Sequence, residues 1–184
     1  MAYDYQAVHP LDGTIGAISA RRANHLAVHR ALAIAVVLAA PGRKAEAAGI
    51  LVADGAFEAR FAGPGEWLVL SEAHAPETLA AELAVRLGDH AHVVDQSHGR
   101  MAVTLSGPDA ARILANGVGI DLHIDAFPVG RAANVLCNHL SVNLARTGET
   151  RFDLVAMRSF AGALVDDLKI MARSHDLSVD FATR

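Results

Sequence analysis

The chain has 184 residues, and its 16 Lys+Arg against 20 Asp+Glu leave a formal net charge of −4. With no basic excess, nucleic acid is excluded as the main partner. Hydrophobic residues make up 52%, which excludes global disorder and lets one large domain or two small ones bury a core without disulfides or metal staples.

Residues 1–25 lack clean periodicity and carry Pro10, Gly13, Gly16 and the Arg21-Arg22 pair. They read as an extended arm that lies on something. Residues 26–95 and 96–184 read as two α+β halves of one unit. Ala31 to Leu38 is expected as a buried strand, stopped by Pro41-Gly42. Residues 43–48 are expected as a helical turn. Ile50-Leu51-Val52 comes next, and Asp54-Gly55 reads as a hairpin turn joining it to a strand from Phe57 to Phe61. There Phe57, Ala59 and Phe61 alternate with Glu58 and Arg60, the period of a half-buried strand. Gly63-Pro64-Gly65 turns the chain into a strand from Glu66 to Leu70, with Trp67 and Val69 on one face. Pro76 opens a helix with a Leu79, Leu83, Leu87 stripe, an outer Glu82–Arg86 pair and Gly88 at its end. A strand around His92 to Val94 follows.

The second half repeats this plan. Met101 to Leu105 is a strand, and Ser106-Gly107-Pro108-Asp109 opens a short helix capped by Ser106 or Gly107. Residues 117–130 form a loop with Pro128. Arg131 to Cys137, Leu140 to Ala145 and Phe152 to Met157 are strands, with Thr147-Gly148 as the last turn. In the third of these, Phe152 and Leu154 alternate with Arg151 and Asp153. A final helix begins near Ser159, with Phe160, Leu164, Leu168 and Met171 inside and Asp166, Asp167, Lys169 and Arg173 outside. Val36 to Pro41 parallels Val103 to Pro108 at an offset of 67, and Gly65-Glu66 parallels Gly148-Glu149 at 83. The extra residues are placed in the 117–130 loop. Two split β-α-β halves of ferredoxin-like type account for the repetition.

Chemistry-bearing residues are sparse. His90 and His92, one strand face, and nearby His98 and Asp95 form the densest histidine group, but no third metal ligand is evident. Ser97-His98 and Ser159 lack a nucleophile elbow. Cys137, the single cysteine, is two residues from His139 on one expected strand face, without an orienting third group. Gly63-x-Gly65 and Gly117-x-Gly119 are incomplete dinucleotide fingerprints and read as turns. Asp166-Asp167 diverge by about 100° on a helix and read as a solvated face, with Asp166 in reach of Lys169. No catalytic, cofactor-binding or metal-binding residue is assigned. The ten-residue apolar run Ala31 to Ala40 is too short to span a bilayer, and no secretory signal is visible at the start, so a cytoplasmic protein is expected. The 37 Ala, and 14 Arg against 2 Lys, point to a GC-rich bacterial genome.

One ordered series of segments resembles a known family. Val94-Asp95-Gln96-Ser97-His98-Gly99-Arg100 leads into Val103-Thr104-Leu105-Ser106-Gly107-Pro108. Asp121-Leu122-His123, Phe127-Pro128-Val129-Gly130, Arg146-Thr147-Gly148-Glu149 and Arg158-Ser159-Phe160-Ala161 follow, and Gly63-Pro64-Gly65-Glu66-Trp67-Leu68 precedes them. The series, over about residues 60–175, is similar to the gamma subunits of heterotetrameric sarcosine oxidases. The resemblance implies a complex with alpha, beta and delta subunits that demethylates sarcosine oxidatively, passes the one-carbon unit to tetrahydrofolate and makes hydrogen peroxide. It implies FAD, FMN, NAD and tetrahydrofolate on other subunits, none on this chain, and a non-catalytic role here. It also implies a fold like the folate-binding domain of aminomethyltransferases. A freestanding folate-binding protein of that type is the alternative. Against it, the chain is about half the usual length and lacks a Lys-Gly-Cys-Tyr-x-Gly-Gln type motif. A related complex acting on another N-methylated amino acid is the third reading. The Arg21-Arg22 arm and the 117–130 loop are the expected contacts with the large subunits, with Arg100 and Arg131 as anchors.

Overall fold

The computed structural model describes residues 8–18, 20–53 and 57–182. In chain order the elements are β1 (Asn24–Val28), β2 (Ala33–Ala39), α1 (Lys44–Val52), β3 (Glu58–Gly63), β4 (Glu66–Ser71), α2 (Pro76–Leu87) and β5 (Ala91–Asp95). They continue with β6 (Arg100–Ser106), α3 (Ala110–Ala115), β7 (Ala132–Cys137), β8 (Leu140–Gly148), β9 (Arg151–Met157), α4 (Ala161–Met171) and β10 (Leu177–Phe181).

The strands form two sheets, of order β3-β4-β2-β5 and β10-β1-β6-β9-β8-β7. Both halves follow one plan. In the first, β2-α1-β3-β4-α2-β5 is the split β-α-β unit expected. In the second, β6, β8, β9 and β10 take the corresponding places, with β1 inserted between β6 and β10 and β7 added outside β8. β6 covers the residues 67 positions after β2. The bulge between Phe61 and Gly63 recurs between Arg146 and Gly148. Gly148 is therefore the counterpart of Gly63 rather than of Gly65, and the second offset is two residues longer than the sequence comparison suggested.

Each sheet carries helices on its outer face. Leu79, Leu83 and Leu87 of α2 and Ala47 and Leu51 of α1 pack on Ala33, Ala35, Val37 and Val69. Each fully buried leucine contributes about 1.5–3 kcal/mol. Ile113, Leu114, Leu164, Val165 and Leu168 of α3 and α4 do the same on the larger sheet. The inner faces meet through Ile34, Val36, Leu68 and Leu70 on one side and Ala102 and Val155 on the other. β2 is thus covered on both faces, which is why its sequence is apolar without alternation.

Several local expectations change. Ile50-Leu51-Val52 is the last turn of α1: Leu51 lies four residues after Ala47, on the buried side of an alanine-rich helix. The expected hairpin turn Asp54-Gly55 lies outside the described residues. In β3 the polarity is reversed, with Phe61 49% exposed and Arg60 only 4%, because the inner face of the sheet is closed by a second sheet. Asp153 is buried for the same reason. Thr147-Gly148 belongs to β8, and the turn falls on Glu149-Thr150. Phe160 is exposed in a 3-10 turn before α4, and Val165 joins the inner stripe instead. The cap of α3 is Asp109.

The described part of residues 8–23 folds onto its own chain. Leu11 is buried in the larger core, and His9 meets the Phe181 ring edge-on at 5.1 Å. Arg22 donates its backbone N–H to Ser178 Oγ and pairs with Asp176 at 3.3 Å. β1 and β10, both missed in the sequence, pair in parallel from Asn24↔Leu177 to Val28↔Phe181. The loop at 117–130 is likewise tied down. Leu122 and Phe127 are buried, and the Arg146 guanidinium donates to the carbonyls of Leu122 and Glu149.

Candidate functional site

The site is the crevice between the two sheets. Its floor is a chain of polar side chains from the inner faces of β3, β6 and β9. Arg60 donates from Nε to Glu58 Oε1 at 2.7 Å and from Nη2 to Asp153 Oδ2 at 2.8 Å. Asp153 Oδ1 accepts the Thr104 hydroxyl at 2.6 Å. His29, just after β1, lies with Nε2 2.9 Å from Thr104 Oγ1. Since Thr104 gives its proton to Asp153, it accepts from His29, which fixes the Nε2–H tautomer. Asn143 and Asn134 extend the polar floor by donating to the Phe61 and Ala62 carbonyls, so the exposed edge of β3 is stitched to the larger sheet.

Above this floor is a cavity of about 420 Å³, walled by Leu32, Phe57, Leu70 and Ala102 with Ser71 and Glu72 at the rim. A second space of about 470 Å³ lies beyond the Arg60–Asp153 pair, bounded by Val129, Arg146 and Thr147. The sizes fall within the range of small-molecule pockets. The charged groups on the floor, however, are turned toward one another. Two carboxylates already accept from the Arg60 guanidinium, the buried Arg146 guanidinium is held by backbone carbonyls, and Arg151 Nε stands 3.8 Å from Asp153.

Burial lowers the pKa of His29, against the opposing pull of Asp153 and Glu72. Burial also lowers those of His9 and His25, the latter 2.9 Å from Asp180. All three are held as neutral rings in the folded chain. As pH falls below the unfolded histidine value near 6.5, the unfolded state takes up these protons first. Stability is therefore full above about pH 7 and declines toward pH 5, by up to about 1.4 kcal/mol per pH unit for each ring. Urea midpoints at pH 7.5, 6.5 and 5.5 check this. His29→Gln is expected to flatten the decline, and an unchanged slope contradicts it.

The catalytic and metal candidates singled out in the sequence, His90, His92, His98, Ser97, Cys137, Ser159 and Asp166-Asp167, do not line these two cavities, whereas Val129 of the 117–130 loop bounds the second. His90 lies in a 3-10 turn and His92 on β5, so they share no strand face. Among the described residues no group of three His, Cys, Asp or Glu is placed to hold a metal. Ser97 receives the Ile34 N–H and donates to Asp95 Oδ1 at 2.7 Å, pinning the turn after β5 to β2. Cys137 ends β7 and Asn138 turns away with φ 52°, so Cys137 and His139 do not share a face. The Cys137 thiol is buried, and burial pushes its pKa up to about 11. Asp167 is half-buried with His139 at 3.8 Å, unlike exposed Asp166, which faces Lys169. Ser159 is exposed. Gly65 sits in the β3–β4 turn and Gly117 between α3 and β7, neither at a helix start. Arg131 is exposed and donates to the Ala126 carbonyl, closing the 117–130 loop. Among the described residues no helix is long and apolar enough to cross a membrane.

Comparison with known proteins adds the following. A model of the family described as "Sarcosine oxidase, gamma subunit family" matches residues 20–171. The chain is 39% identical over 124 residues to the sarcosine oxidase subunit gamma of an Arthrobacter sp, covering 66% of this chain and 58% of that protein. It is 40% identical over 101 residues to that of Corynebacterium sp. (strain P-1), covering 53% and 48%. The matches thus span about half the length of these curated relatives. Among solved structures, a chain of the heterotetrameric sarcosine oxidase from Corynebacterium sp. U-96 gives a TM-score of 0.73 at 26% identity, over 85% of this chain and 87% of that one. The glycine cleavage system aminomethyltransferase T from Bartonella henselae gives 0.61 at 17% identity, over 86% of this chain and 48% of that one, a likeness of fold alone.

Proposed function

The chain belongs to the sarcosine oxidase gamma subunit family, and from that premise we propose that it is the gamma subunit of a cytoplasmic heterotetrameric complex that demethylates sarcosine oxidatively. In this reading the one-carbon unit goes to tetrahydrofolate. FAD, FMN, NAD and the folate are carried by the other subunits, the large alpha and beta chains being the direct partners. The gamma chain itself takes no part in the chemistry.

The observation that carries the proposal is the TM-score of 0.73 with a chain of a heterotetrameric sarcosine oxidase over 85% of this chain. A non-catalytic role is supported by the crevice. Its Arg60 guanidinium is already engaged by Glu58 and Asp153, that of Arg146 by the Leu122 and Glu149 carbonyls, and its histidine donates inward to Thr104.

The test is to purify a tagged form of the chain after co-expression with alpha, beta and delta subunits. Recovery of a flavin-coloured complex that makes peroxide from sarcosine supports the proposal. Recovery of such a complex that prefers another N-methylated amino acid supports the related enzyme instead. A colourless chain recovered alone, with tetrahydrofolate bound, supports the freestanding folate protein.

A further inference from the structure

The inner faces of the two sheets do not close on each other along their whole length. At the end away from Arg60, Ala102 and Val155 are the last residues of the larger sheet in the shared core. The next inner-face positions on these strands are Arg100 and Met157, paired with each other. On the facing sheet, Leu38 lies two residues beyond Val36, and Val94 is paired with Val36. Among the described residues they are only partly covered. Leu38 is 40% exposed, Val94 44% and Met157 44%. Three large apolar side chains on the walls of one opening differ from the scattered exposed residues of an ordinary surface.

Arg100 stands in this opening. Its Nε is buried without an acceptor, and its guanidinium makes no hydrogen bond or ion pair among the described residues. Glu66, paired in register with Leu38 across the opening, is the carboxylate whose charge reaches it. A half-buried guanidinium with a buried Nε that has no acceptor, next to exposed Met157 in the strand register, has the make-up of an interface hot spot. Leaving it unpaired in a closed interface is costly, so the occupant has to bring an acceptor.

We propose that the open end of the crevice seats a segment of a partner subunit, with one bulky apolar side chain wedged between Leu38, Val94 and Met157 and an adjacent carboxylate on Arg100. This rests on the gamma-subunit reading and names the surface through which that role is carried out.

The experiment places the photo-crosslinking residue p-benzoylphenylalanine at position 157 of the full chain, co-expressed with the other subunits. Irradiation of the assembled complex is expected to join it to an alpha- or beta-subunit peptide with Asp or Glu beside a large apolar residue. The proposal is overturned by an assembled complex with no adduct, by an adduct joining two copies of this chain, or by a peptide without an acidic residue. In parallel, Arg100→Glu is expected to lower co-purified partner at least tenfold and Arg100→Lys to restore part of it. Val85→Asp, on the exposed side of α2, serves as the control that leaves yield unchanged. Equal recovery with wild type and Arg100→Glu overturns the seat alone. A wild-type chain that recovers no flavoprotein partner overturns the gamma-subunit reading as well.

Discussion

Asp153→Ala is expected to destabilise the chain by about 3–5 kcal/mol, the usual cost of removing one member of a buried ion pair, and to lower Tm by roughly 6–20 °C for a domain of this size. Arg60 would remain 4% exposed with only the half-exposed Glu58 as counter-charge. Thr104 would lose its acceptor and His29 its fixed tautomer, so a single truncation undoes three contacts. Asp153→Asn, which can still accept from Thr104, is expected to cost less. The double variant Arg60→Met with Asp153→Leu is expected to recover most of the loss, because a buried pair replaced by apolar groups of similar volume is often neutral or better. Urea denaturation of the three variants decides the matter. A loss below about 1 kcal/mol for Asp153→Ala would mean that water in the crevice solvates the pair.

Gly107→Ala is expected to be comparably damaging, for a different reason. Gly107 has φ 130°, a conformation that L residues rarely adopt. A Cβ built there would stand 2.5 Å from the Ala23 carbonyl oxygen and from Asn24 Oδ1. Asn24 cannot retreat cheaply. Its Oδ1 accepts the Asp109 N–H at the start of α3, and its Nδ2 donates to Asp109 Oδ2. Backbone strain of about 1–3 kcal/mol adds to overpacking of similar size, giving an expected loss of about 3 kcal/mol or more. Hydrogen exchange should show the damage centred on the β1 amides, with the α2 amides protected as in the wild type. Uniform loss of protection across both sheets would show instead that the two halves unfold as one unit.

Sequence reading succeeded where periodicity and burial coincide. Leu79, Leu83 and Leu87 mark the buried face of α2, and the repetition of Val36 to Pro41 in Val103 to Pro108 marks the doubled plan. It failed where a strand is closed on both faces. Arg60 and Asp153 occupy the polar phase of an alternating pattern and so looked outward, and only their pairing across two sheets places them inside. No signal in either strand alone could have found them, since each is a buried charge made tolerable by the other. β1 and β10 were missed because NHLAV and LSVDF are short and partly polar. Two of their buried polar groups meet across the sheet, in the 2.8 Å contact of His25 Nδ1 with Ser178 Oγ. The histidines and Cys137 drew attention by residue type, but His90 and His92 share no strand face and the Cys137 thiol is buried.

The insertion of β1 between β6 and β10 also sets an order of assembly. The smaller sheet needs only residues 33–95, so it can form early as the chain leaves the ribosome. The larger sheet cannot be completed then, because His25 and Ser178, neighbours in the sheet, are 153 residues apart in sequence. Until β6 arrives, β1 has no strand to pair with on either side, and until β10 arrives one of its edges stays open to other chains. Contacts of such high sequence separation form slowly, so β1 keeps an open edge until β10 pairs with it and takes its place at the edge of the sheet.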